Sequence, residues 1–448
     1  MIGSSPPVAL TDGRERLSPS RWLALWVTLS LMACREASPP PLPSGEPLCE
    51  EGQTRPCYEG PAGTEGVGAC HAGTQTCAAR GVAWGGCQGQ VMPQPESCAS
   101  PADEDCDGQA NGDPLYVWSA AGSTTQARYW HTATLLRSNW ILVAGGPSDG
   151  FFPRTELYDP ATCTWTSTGN MAWGRDLHTA TLLSDGRVLV TGGFDGTTNL
   201  ATAELYIPAN GTWEPTGDMA HQRLGHTATL LNNGKVLVIG GSSVEGRLAT
   251  AELYDPATHA WSAVSPMAQA RSGHTATLLN DGQVLVAGGS DGTNALATAE
   301  LYDPAANTWK PAGSLAQARS RHTETRLKNG QVLVVGGFLS LNALVTAEVY
   351  DPGTGTWSPA GSMREGRSGH AATLLEDGNV LVSGGGTAGF NLSSTEAYNP
   401  ATNAWSPSAS LKKERSGHTA TLLSDGRVLA VGGLSTGGAT KTAELYTP

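Results

Sequence analysis

His274-Thr-Ala-Thr-Leu-Leu-Asn-Asp-Gly-Gln-Val-Leu-Val-Ala-Gly-Gly289 is followed by Ala299-Glu-Leu-Tyr-Asp-Pro304 and then Trp309, and this stretch decides the fold. Two runs rich in Thr, Val and Leu flank Asp281-Gly282, the strongest short-range signal for a two-residue hairpin. A loop then leads to a third run, a turn at Asp303-Pro304 and a fourth run that bears Trp309. Four short strands in sequence, each turned by Gly, Asp or Pro, make one blade of a β-propeller.

The pattern recurs along most of the chain. His131, His178, His226, His274, His322, His370 and His418 stand 47 residues apart once and 48 apart five times. An Arg precedes each by three: Arg128, Arg175, Arg223, Arg271, Arg319, Arg367 and Arg415. A period of this length marks a repeat architecture. The array starts and stops out of phase: the chain ends at Glu444-Leu-Tyr-Thr-Pro448, a third strand, and the missing Trp strand stands at the other end as Val117-Trp118. The expected fold is therefore an all-β, seven-bladed propeller closed by the N-terminal strand of Trp118, which leaves no open edge.

Six of the seven Gly-Gly pairs are followed by a Tyr and, seven residues later, a Trp: Tyr158/Trp165, Tyr206/Trp213, Tyr254/Trp261, Tyr302/Trp309, Tyr350/Trp357 and Tyr398/Trp405. In these features residues 114–448 resemble the kelch-repeat family, which implies one four-stranded blade per unit. A residue repeated in all seven blades cannot define one asymmetric site. The Arg-x-x-His pair and the Glu of Ala-Glu-Leu-Tyr are accordingly read as architectural: Arg paired with Glu of the same or adjacent blade, and His hydrogen-bonded within its own blade. Some kelch-like propellers resemble galactose oxidase, a copper radical enzyme that needs a Cys–Tyr crosslink and converging histidines. This propeller carries one cysteine, Cys163, and its non-repeat histidines are the isolated His221 and His259, so copper is not expected, nor is a nucleotide or flavin.

The 448 residues include 57 Gly and 28 Pro, and charged residues are only 15%. That composition argues against helical bundles. A net charge of −13 without a basic cluster argues against nucleic acid, which needs a concentrated positive surface. Residues 1–33 read as an export signal, with Arg14, Arg16 and Arg21 ahead of the apolar run Trp22 to Ala33, which is too short to span a bilayer. Leu31-Met-Ala-Cys34 resembles a bacterial lipoprotein signal and implies acylation of Cys34, an outer-membrane or cell-surface location, and membrane attachment through the acyl anchor alone. Residues 34–48 are a Pro-rich linker. Residues 49–113 form a Cys-rich module too poor in apolar residues to fold without staples. Its seven cysteines are Cys49, Cys57, Cys70, Cys77, Cys87, Cys98 and Cys106; an odd number needs one more thiol, and Cys163 is the candidate for an eighth and for four disulfides. Asp103, Asp105, Asp107, Asn111 and Asp113 alternate as in the front half of a calcium loop, which makes calcium the candidate cofactor. The module as a whole resembles a Cys-rich metal-binding module of secreted bacterial proteins.

Function is expected on one face. Loops between second and third strands and the crossings between blades share the face here termed the top, and they vary in sequence where the opposite turns are monotonous. All five Phe residues fall in these loops. Tyr129, Trp130, Phe151, Phe152, Trp173 and Asp176 depart from the repeat on blades one and two, and flat aromatics with a few polar groups suit a sugar ring or a protein hot spot. The preferred reading is a surface binding or adhesion protein without catalysis of its own that recognises a glycan or a surface protein. The alternatives are a lyase- or epimerase-like enzyme working in the channel mouth and a scaffold within an envelope complex. An enzyme predicts a deep channel with blade-unique acid–base groups; a binder predicts a shallow aromatic top.

Overall fold

A computed structural model describes residues 49–78, 83–93, 117–147 and 150–448. The export segment, Cys34, the Pro-rich linker, Cys98, Cys106 and the Asp103–Asp113 loop lie outside these residues. Seven four-stranded antiparallel sheets follow one another as blades. Blade four consists of Thr275–Leu278, Val284–Ala287, Thr298–Asp303 and Thr308–Ser314, from the inside outward. Blade seven takes its outer strand from the other end of the sequence: Val117–Ser123 pairs with Thr442–Thr447, and Trp118 stands opposite Tyr446. That is the register of Tyr302 and Trp309 in blade four, so the N-terminal strand closes the ring.

The innermost turn differs from the two-residue hairpin that Asp-Gly predicts. Leu279 N–H donates to Gln283 O and Gly282 N–H to Leu279 O, with Gly282 at φ 86°. The loop is thus three residues, a type I turn followed by a left-handed glycine. Second strands such as Val284–Ala287 are wholly buried, because both their faces meet neighbouring blades. Each hydrophobic cluster straddles two blades; Leu285 and Leu301 of blade four pack with Val332, Val334 and Tyr350 of blade five. The outer Trp also crosses the junction: Trp309 Nε1–H donates to Ser265 O of blade three at 2.7 Å, and Trp357 does likewise to Ala312 O at 2.9 Å.

The repeated Arg is the hub of each blade. Arg271 is fully buried and donates to Gly288 O at 2.7 Å and Thr298 O at 2.9 Å. It also pairs with Glu300 at 2.8 Å. The second Glu300 oxygen accepts from Ala268 N–H, and Arg271 O accepts from Gly241 N–H of the preceding blade. The other six pairs repeat this: Arg128–Glu156, Arg175–Glu204, Arg223–Glu252, Arg319–Glu348, Arg367–Glu396 and Arg415–Glu444. Every pair lies within one blade. The Gly-Gly pair makes room for the hub: Gly288 and Gly289 have φ of 60° and 95°. A Cβ on Gly288 would lie 2.7 Å from Arg319 O, and one on Gly289 2.8 Å from His274 Cβ.

The histidines correct an expectation. They bond between blades, not within them: His322 Nε2 meets Thr275 Oγ1 of blade four at 2.9 Å, and His178 meets Thr132 of blade one at 3.0 Å. His131 meets Thr419 of blade seven at 3.1 Å, which carries the series across the closure. The reason is strand alternation: the Thr after the His points at the next blade, and where Ala371 replaces it in blade six, Ser383 meets His418 instead at 3.1 Å. Burial, reinforced by the neighbouring Arg, pushes His178, His274, His370 and His418 down to about 3, and the other three well below 6.5.

By contact the described residues divide into two units, one of 49–53 with 77, 78, 83 and 84, the other of 54–76 with the described residues from 85 onward. The first unit holds the Cys49–Cys77 disulfide. The second holds the propeller, the ribbon of Thr54–Cys57 with Gly73–Thr76 and the Cys57–Cys87 disulfide. Cys70 and Cys163 are disulfide-bonded as well.

Seven buried, neutral histidines predict acid lability. Their folded-state affinity for protons is depressed, so their contribution is complete above about pH 6.5 and is lost as pH falls toward 3. In that window the unfolded chain takes up as many as seven extra protons, a slope of up to about 10 kcal/mol per pH unit. Urea midpoints of the purified protein are expected to fall steeply between pH 6 and pH 4; a midpoint flat across that range would contradict the neutral, buried assignment.

Candidate functional site

At the top of the channel the residue before each His joins a ring of backbone hydrogen bonds. Leu177 N–H donates to Trp130 O, Gly225 to Leu177, Gly273 to Gly225, Arg321 to Gly273, Gly369 to Arg321, Gly417 to Gly369 and Trp130 to Gly417, at 2.7–3.4 Å. All seven positions are left-handed, with φ between 48° and 60°. Four of them are Gly, for which this conformation is free. Trp130, Leu177 and Arg321 adopt it at a cost of about 1–2 kcal/mol each. Strain of this kind, held in place by the surrounding ring, concentrates at functional sites.

The Trp130 indole lies across the ring. A Cβ on Gly417 would sit 3.1 Å from its Cδ2, and one on Gly369 3.1 Å from its Cη2. The side chain therefore reaches from blade one over blades seven and six, on a seat that only glycine leaves open. It meets the Arg321 guanidinium, 5.8 Å from the ring centroid. These two side chains roof part of a cavity of about 830 Å³, which Arg247, Leu341, Ser320 and Ser340 also line.

The residues singled out from sequence separate into three places. Trp130 is at the mouth. Phe151 packs edge-on against Phe194 at 5.5 Å, filling the contact between the top loops of blades one and two, with Gly196 beneath it. Phe152 and Trp173 are open to solvent, 41% and 50% exposed. They adjoin one another through the chain, because the Phe151–Phe152 backbone runs against Gly174. Tyr129 is half-buried. Asp176 is buried, bridged to Phe194 by two 3.0 Å backbone hydrogen bonds, and burial raises its carboxyl to about 6. Further round the same face Val244, Leu341 and Phe390 are 74%, 81% and 77% exposed.

Three residues escaped the sequence reading although their columns carried the signal. Arg321 stands where four other blades have Gly. Glu324 and Arg326 stand where all six other blades have Ala and Leu, as in Ala276 and Leu278. In the other junctions that Ala and Leu pack into the interblade cluster, as Ala276 and Leu278 do; the junction of blades four and five has neither. Glu324 instead accepts a short hydrogen bond from Thr275 Oγ1, and its Oε1 is buried with no partner among the described residues. Burial raises its carboxyl to about 7. Among the described residues no group of three or more His, Cys, Asp or Glu side chains is placed to hold a metal ion.

Comparison with known proteins agrees with this architecture. The family model of the KLHDC2/KLHL20/DRC7 Kelch-repeats domain matches residues 115–289 and 225–433. No curated protein matches the sequence. Among solved structures, a fungal alcohol oxidase of the AA5 family in complex with copper is similar in fold, with a TM-score of 0.63 and 19% identity over 75% of this chain and 76% of that one.

Glu324→Ala installs the alanine of the other six blades and tests whether the carboxylate serves stability. A raised carboxyl favours the folded state below about 4.5 and opposes it once pH rises past about 7, by about 3 kcal/mol. The variant is expected to be more stable than the parent at pH 8, with the gain shrinking toward pH 5. A loss of stability at pH 8 would make Glu324 a structural residue.

Proposed function

The chain belongs to the KLHDC2/KLHL20/DRC7 Kelch-repeats domain family, and from that premise we propose that it is a non-catalytic binding protein that recognises a glycan through the top face of its propeller. One observation carries the reading. Every exposed large hydrophobic side chain of the described propeller, from Phe152 and Trp173 to Val244, Leu341, Val345 and Phe390, lies in a top loop or crossing. Scattered single apolar residues need no explanation, but their confinement to one face marks an interaction surface. The opposite face is built of near-identical turns and offers no such distinction. The cavity at the mouth adds a concave centre of the size small ligands use.

The same proposal places the protein outside the cell, held by acylation of Cys34. The disulfides at Cys49–Cys77 and Cys57–Cys87 suit an oxidising compartment. The Asp103–Asp113 loop is proposed to take calcium and to support the module rather than the ligand.

Glu324 favours a second reading. A carboxyl group unique to one blade, titrating near neutrality in the inner strand of the propeller, is what an acid–base enzyme acting on sugars would need. It does not line the cavity at the mouth, and the binding reading is preferred on that ground.

The test is a glycan panel presented to the purified protein, with calcium and with chelator. Saturable binding is expected, reduced at least tenfold by Trp130→Gly combined with Phe152→Ser while the melting temperature is held. Binding untouched by this pair would remove the top face from the proposal. A shortened or unsaturated glycan product would establish the enzyme, and a protein captured in place of any glycan would reassign the face to a protein partner.

A further inference from the structure

Resting on the top-face reading, we propose that the channel mouth is selective for acidic polysaccharide, taking a carboxylate-bearing sugar ring on the Trp130 indole with its carboxylate on Arg321 and Arg247. Charge is the first observation. The chain carries −13 overall, yet the residues that line the cavity include two guanidinium groups and no carboxylate. The histidines that line it are neutral at physiological pH, because burial and the neighbouring Arg depress them. The mouth is thus a positive spot on a negative protein, and such a spot draws an anion.

The two arginines are available to a ligand. Arg321 is exposed and has no ion pair among the described residues. Its one ring contact, with Trp130, orients the planar group beside the indole. Arg247 is exposed on the ribbon of Ser242–Ser243 with Gly246–Arg247 and donates to Ser242 Oγ. Asp291 is tied to its own turn by the N–H groups of Thr293 and Asn294 at 2.8 and 2.7 Å. Its carboxyl is held low by those N–H groups and by the field of Arg247, and it makes no ion pair with Arg247 among the described residues. Glu324 lies further along the inner strand, outside the lining. A guanidinium held flat by a neighbour loses little freedom when it takes a carboxylate in two parallel hydrogen bonds.

Backbone strain is the second, independent observation. Trp130 and Arg321 both occupy the left-handed ring position that Gly fills in four blades, and the side chains of these two strained residues meet across the ring. A flat aromatic face beside a planar cation, with Ser320 and Ser340 at hand for hydroxyl groups, matches a sugar ring that carries an acid. An acidic peptide would satisfy the arginines but has no ring for the indole face.

The experiment compares oligogalacturonate, neutral galacto-oligosaccharide and poly-glutamate as probes for the full-length protein by calorimetry, at low and at raised salt. Arg321→Gly and Trp130→Gly install the residue of four other blades, so each is expected to fold with an unchanged or higher melting temperature. Should one fail to fold, Arg247→Gln takes its place. Oligogalacturonate is expected to bind at least tenfold more tightly than the neutral probe, to weaken as salt rises, and to lose at least tenfold in affinity with Arg321→Gly. Equal affinity for both oligosaccharides, or an unchanged affinity in Arg321→Gly, overturns the selectivity while leaving the top-face reading standing. Poly-glutamate binding without oligogalacturonate binding overturns the sugar in favour of an acidic peptide. Failure of all three probes, together with failure across the glycan panel, overturns the top-face reading itself.

Discussion

A buried arginine that never meets water is the constraint on which the propeller depends. In every blade its guanidinium joins the carbonyl of the first glycine of the Gly-Gly pair to the Glu of the third strand, and its own carbonyl accepts from the second glycine of the preceding blade. A desolvated charge of this kind is tolerable only when fully paired, and removing one partner leaves the other buried and alone. Seven copies therefore demand seven glutamates and seven glycine pairs, and the uniformity of the repeat follows from electrostatics before any question of ligand.

That uniformity is what makes the exceptions informative. The hubs and the interblade histidine bonds tie up the arginine terminal nitrogens and the His Nε2 atoms in the same way in every blade, so these groups cannot tell one side of the ring from another. Specificity has to come from side chains that the repeat does not require. They collect on the top, where loops leave the hub and return to it, and where the ring of left-handed residues narrows the channel. The indole of Trp130 shows how such a residue acts at a distance from its own blade: glycines at 369 and 417 clear a seat, so a residue of blade one shapes the surface of blades six and seven.

Repetition also explains which parts of the site could be read in advance. Trp130 stood out because its blade departs from the repeat at two adjacent positions. Arg321 was passed over because Ser320 beside it conforms, and Glu324 because the chain around it still reads as an amphipathic strand. Arg321 lies in a column that is Gly in four blades and Glu324 in one that is Ala in the other six, so position-by-position comparison of blades carried the signal. The partition of the aromatics was not legible at all. Phe151 and Phe152 are adjacent and chemically alike, yet one packs on Phe194 and the other is open to solvent. Only the path of the neighbouring loop decides between them.

By itself the sequence determined the all-β class, the seven blades and the closure by Trp118, because each is a matter of periodicity and of matching a missing strand to a spare one. Those properties are one-dimensional: strand alternation and turn chemistry act between residues a few positions apart. The tertiary structure decided the rest. Whether a histidine bonds within its blade or across to the next, which aromatic is exposed, and that Arg321 reaches the indole of Trp130 all depend on contacts between residues 35 or more positions apart, or on opposite sides of the ring. The twist and angular spacing of the blades bring those residues together, and no local propensity encodes that arrangement.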